Sequence, residues 1–242
     1  MSTVERAQPK TLVPPLVAGQ RLDQPTFQER YEAMPPETRA ELVGGVVYIR
    51  SRVTQVHGEF HNDISGWLFS YQLFTPGVDG ANKATVKLDS KGEPQPDCQL
   101  LIPKELGGQT SVDDEGYLTG APELVVEIAR SSRYYDLNAK KADYERAGVL
   151  EYVVVELDPN RVHWFIRRGD RFEDWPPGPD GIYRSEVFPG LWLDADALFA
   201  GDRRRLIRVL KRGVRTPEHA TFAAKLAEAR GLHKRERRKK QK

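Results

Sequence analysis

The sequence predicts an α/β protein, a mixed central sheet flanked by helices, followed by a basic helical C-terminal extension. Three observations carry that prediction. Residues 123–129 and 151–157 are short, almost continuous apolar runs, the pattern of strands covered on both faces, and a polar segment of helical periodicity separates them. Asp158-Pro159-Asn160 and Gly169-Asp170 are turn sequences that bring residues 162–168 and 171–175 back as a meander. Charge is divided along the chain: Arg203 to Lys242 holds 16 Lys and Arg against 3 Asp and Glu, which leaves 21 against 32 in residues 1–202.

The elements follow in order. Residues 1–22 are rich in proline and small polar residues and are expected to be a flexible segment. Thr26-Phe27-Gln28-Glu29 has the form of a capping box, so a short helix should begin at Thr26 and end by Pro35-Pro36. Residues 41–49 read as two short strands about Gly44-Gly45. From Val56 to Leu73, Phe60, Ile64, Trp67, Leu68 and Tyr71 recur at helical spacing and define one apolar face. Residues 84–88 and 97–102 read as strands, and 107–120 as an acidic, turn-rich connection. After strand 123–129, Ser131-Ser132 turns the chain into a helix over 137–147, closed by Gly148. Residues 188–198 close a domain spanning 23–201. Residues 202–242 form the basic tail: Leu206, Val209, Leu210 and Val214 mark a packed face, and 233–242 should be mobile.

The 242-residue length suits one sizeable core with appendages. Cys98 is the single cysteine, so an intrachain disulfide or a cysteine-rich zinc site is excluded. No stretch approaches the ~18 apolar residues of a membrane helix, and a cytoplasmic location is the simplest expectation. The net charge of +2 conceals an acidic body and a basic tail. Such a tail, with Arg203, Arg204, Arg205, Lys211 and Arg212 in its first turns, is either a handle for nucleic acid or a solvated segment that can fold back on the body.

Glu127 stands inside the run Leu124-Val125-Val126-Glu127-Ile128, where a carboxylate persists only if paired, hydrogen-bonded or bound to a metal. Asp97, in Pro94-Gln95-Pro96-Asp97, is a second carboxylate at the start of a strand, and Lys140 follows on the next helix. Two carboxylates and a lysine are a minimal set for holding a divalent cation against a phosphodiester. Asp136, Lys140 and Tyr144 share one helix face at four-residue intervals, with Asp136 expected to cap the helix N-terminus. His57 opens the first long helix, where it can meet a phosphate or simply start the helix. Its i, i+4 partner His61 lacks the context of a zinc site. Trp164, Trp175 and Trp192 read as packing residues, and Cys98 as a buried one facing away from Asp97.

The segments Pro122-Glu123-Leu124-Val125-Val126-Glu127-Ile128-Ala129-Arg130-Ser131-Ser132, Tyr135-Asp136-Leu137-Asn138-Ala139-Lys140 and Tyr144-Glu145-Arg146-Ala147-Gly148-Val149-Leu150-Glu151-Tyr152 resemble the Uma-type restriction endonuclease family. Glu41-Leu42-Val43-Gly44-Gly45 and His57 resemble its opening, Pro96-Asp97 its central motif, and Pro189-Gly190-Leu191-Trp192-Leu193-Asp194 its closing strand. The resemblance covers roughly residues 26–199 and implies a PD-(D/E)xK, restriction-endonuclease-like fold with a Mg²⁺-dependent phosphodiesterase site. It implies Asp97 and Glu127 as metal ligands and Lys140 as the lysine supplied from the following helix, because Ala129 stands where the usual lysine would be. Glu41 fits the early acidic position. The chain departs from the family at Arg130-Ser131-Ser132, which lacks a proline, and at Gly44, where an acid is usual.

The expectation is an endonuclease using Mg²⁺, with Mn²⁺ as the alternative, acting on nucleic acid, DNA first and RNA or a modified base open, as a monomer or homodimer. The rival is an inactive nuclease-fold module that binds nucleic acid or a protein through the basic tail.

Overall fold

The computed structural model describes residues 13–50 and 54–240, with backbone alone at 232 and 234–240. It begins with α1 (Gln24–Glu32), β1 (Ala40–Val43), β2 (Val46–Ile49) and α2 (Gln55–Phe74). Then come β3 (Asp79–Ala81), β4 (Val86–Lys87), β5 (Cys98–Leu101), β6 (Ser111–Val112), β7 (Leu118–Thr119) and β8 (Leu124–Ala129). The helical segment 133–147 is built from α3 (Arg133–Tyr135), a π-helical turn (Asp136–Lys140) and α4 (Lys141–Ala147). The chain continues through β9 (Glu151–Leu157), β10 (Asn160–Arg168), β11 (Arg171–Asp174), β12 (Ile182–Arg184) and β13 (Trp192–Asp194). It closes with α5 (Ala195–Phe199), α6 (Arg203–Gly213) and α7 (Pro217–Lys240).

The central sheet has the order β11-β10-β9-β8-β5-β3. Only β8 and β9 are parallel in it, because the helical segment 133–147 returns the chain to the edge from which β8 departed. Alternation along each strand divides the interior in two. Leu124, Val126 and Ile128 of β8 face α2 and the C-terminal helices, where they meet Ile64, Trp67 and Leu210. Val125 and Ala129 face the other side, against Tyr144, Tyr152 and Phe165. Glu127 lies between them in the alternation, so it belongs to the Tyr144 side. The apolar residues that fixed α2 in the sequence do their work here: Ile64, Trp67, Leu68 and Tyr71 are all buried. Trp67 also donates from Nε1 to the Trp192 carbonyl at 2.9 Å, tying α2 to β13.

Several expectations need correction. Helix α1 is capped by Asp23, whose Oδ1 accepts from the Thr26 backbone N–H at 2.9 Å, so Thr26 lies inside the helix. The strand expected over 84–88 is the two-residue β4, which pairs with β7 in a separate three-stranded sheet. The connection 107–120 supplies the other two strands of that sheet, folded by Asp113, whose Oδ1 accepts from the backbone N–H groups of Glu115 and Tyr117. The helix expected from Leu137 begins at Arg133, since the Asp136 N–H already reaches the Ser132 carbonyl at 2.9 Å. Residues 13–22 are tied down by backbone bonds between Gly19, Gln20 and Leu22 and the β1–β2 hairpin; the expectation for residues 1–12 lies outside the described residues. Helix α7 runs on to Lys240 through part of the stretch expected to be mobile, and residues 241–242 lie outside the description. No described helix is long and apolar enough to cross a membrane.

Two stability tests follow from this packing. Trp67→Ala empties a fully buried site at the junction of α2, β10 and β13 and should cost roughly 3–5 kcal/mol in urea unfolding. Burial pushes the carboxyls of Glu93 and Glu151 up to about 7. Between an unfolded value near 4.5 and that folded value the native chain binds more protons, so these groups favour folding at low pH and lose that contribution as pH rises through 7. Glu93→Gln should therefore gain on the order of 2 kcal/mol relative to the parent between pH 5 and pH 8, read from urea midpoints at the two values.

Candidate active site

The register pairing Cys98 with Val126 places Asp97, just before β5, opposite Glu127 on β8. Opposite residues of an antiparallel pair share a face, so the two carboxylates are cross-strand neighbours. Asp97 is positioned by its surroundings rather than by a regular element. Its Oδ2 accepts from the Ile128 backbone N–H at 2.9 Å and stands 3.4 Å from His57 Nε2. His61 Nε2 lies 2.9 Å from the Asp97 carbonyl oxygen, which fixes the backbone there. Asp97 Oδ1 has no hydrogen-bond partner among the described residues; Arg50 Nη2 is 3.9 Å away.

Glu127 is gripped from the helix that follows it. Its Oε1 accepts from Lys140 Nζ at 2.8 Å and from the Tyr144 hydroxyl at 2.8 Å. Four-residue spacing brings both donors to one side, and Lys140 lies at the end of the π turn, where the helical face is locally re-aimed. Lys140 Nζ also donates to Glu41 Oε1 at 3.2 Å. That oxygen further accepts from the Gln95 N–H at 2.7 Å and from Arg50 Nη1 at 3.2 Å, while Glu41 Oε2 has no partner among the described residues. The hairpin β1–β2, the β5 approach and the 133–147 helix therefore meet at one charge cluster.

That cluster is acidic. Glu41, Asp97, Glu127 and Asp136 are buried, and the permanent cations facing them are Lys140 and Arg50. Burial raises the Glu127 carboxyl above the ordinary carboxylate range, opposed chiefly by Lys140. Burial also acts upward on Asp97, but His57, Arg50 and the Ile128 N–H outweigh it and hold that carboxyl below its ordinary value. Burial would lower Lys140 and Arg50, yet the surrounding carboxylates raise both, so each stays charged. A cleft of about 310 Å³ lined by Tyr48, Arg50, His57, Ser132, Tyr135 and Asp136 lies beside the cluster, which reaches its wall through Arg50, His57 and Asp136 while Asp97, Glu127, Glu41 and Lys140 lie behind it.

Five residues singled out in the sequence thus come together: Asp97, Glu127, Lys140, Glu41 and His57. The neighbouring Lys141 is turned away from the cluster, with its Nζ 3.6 Å from the Phe165 ring centre. Asp136 is not a helix cap: Ser132 holds the N-cap position of α3, and Asp136 sits one turn inside, buried at the cleft wall. Arg203, Arg204, Arg205, Lys211 and Arg212 lie on α6 and do not line the cleft. Arg203 and Arg205 are engaged in ion pairs with Asp63 and Asp194. Arg50 and Tyr135 had no local sequence signal as site residues, since each enters through its strand's or helix's tertiary placement. Tyr144 carried one, its four-residue offset from Lys140.

The Uma2 family model, described as "Putative restriction endonuclease", matches residues 27–196. None of the curated proteins matches the chain. Among solved structures, a crystal structure of "a putative nuclease belonging to DUF820" from Anabaena variabilis superposes with a TM-score of 0.55 at 14% identity, covering 71% of this chain and 96% of that one. The likeness shows a shared fold, and the family match spans most of the chain, including every element that meets at the charge cluster. The chain belongs to the Uma2 family of restriction-endonuclease-type nucleases.

Proposed function

We propose that this chain is a divalent-cation-dependent endonuclease in which Asp97 and Glu127 hold the metal, Mg²⁺ or in its place Mn²⁺, and DNA is the substrate. The observation that carries the reading is Asp97 Oδ1, a buried carboxylate oxygen without a hydrogen bond among the described residues, on the residue that the β5–β8 register sets opposite Glu127. An orphaned buried carboxylate oxygen is costly unless a cation completes it. Among the described residues no three His, Cys, Asp or Glu side chains converge as a ready-made metal cage. Two carboxylates suit Mg²⁺, which ordinarily keeps several waters and takes the rest of its oxygens from substrate phosphate. The donor set is entirely oxygen, which favours hard cations over zinc or copper. Four buried carboxyls outnumber the two permanent cations, and burial raises Glu127 and Asp136, so a divalent cation would favour the ionised form of the cluster.

A cation bound there would lower the pKa of a coordinated water and neutralise charge on the phosphate. The remaining work falls to this chain's own side chains. Lys140 is only 1% exposed, so it acts on the phosphate indirectly by fixing Glu127 and Glu41. Of the two roles that the family resemblance allows this lysine, stabilising the phosphorane or positioning the water, this reading gives it positioning, exerted through the two carboxylates. Arg50 is 27% exposed at the cleft wall and is the cation that an entering phosphate meets. His57 and the Ile128 N–H orient Asp97. One site per chain cuts one strand, so cleavage of a duplex calls for two encounters or a homodimer.

Calorimetric titration of Mg²⁺ should show binding to the parent that is lost in Asp97→Asn and Glu127→Gln, and both variants should lose at least a hundredfold in cleavage of duplex DNA. Parent-like cleavage by either variant would overturn the ligand assignment, and cleavage of RNA but not DNA would overturn the substrate. Lys140→Met strands Glu127 and Glu41 in the interior and should destabilise the fold by about 3–5 kcal/mol in urea unfolding. Tyr144→Phe removes one hydrogen bond to a charged group and should cost about 1.5–3 kcal/mol in the same assay.

A further inference from the structure

We infer that the outer face of α6 is a second nucleic-acid interface, independent of metal, formed by Arg204, Arg208 and Lys211 and continued by Arg215 in the turn that follows. The nuclease reading enters only in naming the anion; the surface itself rests on α6 alone.

The inner face of α6 fixes the outer one. Leu206, Val209 and Leu210 are buried against the body, so residues at the complementary helical positions point outward. Two further contacts lock the helix in place: Arg203 Nε stands 2.6 Å from Asp63 Oδ1 of α2, and Arg205 Nε 2.7 Å from Asp194 Oδ2. These are the cations that the acidic body takes up. Arg204, Arg208, Lys211 and Arg215 are exposed, and none is paired with a carboxylate among the described residues.

That division separates the two readings of a basic tail. A tail that merely neutralised the acidic body would turn its cations inward. Here only Arg203 and Arg205, themselves still exposed, reach carboxylates of the body, and Arg204, Arg208, Lys211 and Arg215 form an exposed row that reaches none among the described residues. Along the helix Arg204, Arg208 and Lys211 follow at four and three residues, so like charges stand on one side of successive turns, an arrangement that weakens an isolated helix. No acidic residue within α6 offsets it. The steps amount to about 6 and 4.5 Å along the axis, on the scale of one to two phosphates of a nucleic-acid strand. An open groove of about 450 Å³ lined by Arg203, Arg204, Ile207, Arg208 and Lys211 runs beside them.

The placement joins this row to the cleft. Asp63, which receives Arg203, lies six residues beyond His57 on α2, about 9 Å along that helix, and His57 touches Asp97. Nucleic acid seated at the cleft would carry its flanking backbone towards α6. Mobile polyanion captured on α6 would in turn be held near an otherwise acidic body that repels it.

The test is fluorescence anisotropy of a labelled mixed-sequence duplex in EDTA, across a sodium chloride series. The parent is compared with Arg204→Gln/Arg208→Gln/Lys211→Gln and with the paired-cation control Arg203→Gln/Arg205→Gln. The triple variant should lose at least tenfold in affinity at low salt, with the slope of log affinity against log salt reduced by about 3, while the control keeps most of its slope. A triple variant with parental affinity and slope would overturn the proposal. So would parental binding to phosphatidylserine vesicles in preference to the duplex, which would assign the row to a membrane surface. The charge-retaining Arg204→Lys/Arg208→Lys variant should keep the parental slope, and its loss would show that fold rather than charge was measured. Repeating the series on Asp97→Asn separates the two readings: binding that persists there without cleavage supports α6 whatever the fate of the metal site.

Discussion

The buried ammonium of Lys140, set between Glu127 and Glu41, is the interaction on which the rest depends. It joins three pieces of chain that share no backbone pairing: the β1–β2 hairpin, the core strand β8 and the helix after it. Without it Glu127 would lose the one cation bonded to it among the described residues, and Glu41 would be left to Arg50 and the Gln95 N–H, so a buried charge would go uncompensated. With it, Glu127 is held at one oxygen by two donors, and its second oxygen is left to the cluster. The same lysine is therefore both a structural keystone and the reason the acidic site has a fixed shape.

Around this ion pair, the fold keeps two carboxyls close in opposed environments. Asp97 is held low by His57, Arg50 and a backbone N–H, whereas burial raises Glu127. Neighbouring carboxylates with opposed environments are a common mark of sites built for chemistry. Rigidity comes from the sheet. Glu127 stands on β8, whose other face, Leu124 and Val126, packs in one cluster with Trp67, and Asp97 immediately precedes β5 in register with it, so their separation follows the β5–β8 pairing.

The C-terminal helices show how an appendage can be both part of the core and a surface. Leu206, Leu210 and Leu226 complete the α2 side of the interior, so α6 and α7 are no loose tail. The charge asymmetry of the chain then acquires a geometry. Two exposed arginines pair with carboxylates of the body, and Arg204, Arg208 and Lys211 stand exposed without such a partner among the described residues.

Much of this was legible in the sequence, and for definite reasons. Runs such as 124–129 and 151–157 admit only buried strands, the 3.6-residue spacing of Ile64, Trp67, Leu68 and Tyr71 admits only a helix with one packed face, and a glutamate inside an apolar run marks itself. Helical spacing alone links Lys140 and Tyr144. The misread elements were short or competing signals. Asp23 outbid Thr26 as a cap, β4 contracted to two residues, and Asp136 looked like a cap until the helix was found to start a turn earlier. What the sequence by itself determined is which residues form each buried strand and helix face, because periodicity and burial are local properties of the chain. What only the tertiary structure decided is that Arg50, Asp136 and Tyr135 line the cleft, and that Lys140 is sealed between two acids rather than turned to solvent. Charges brought together from distant segments have no spacing rule to announce them.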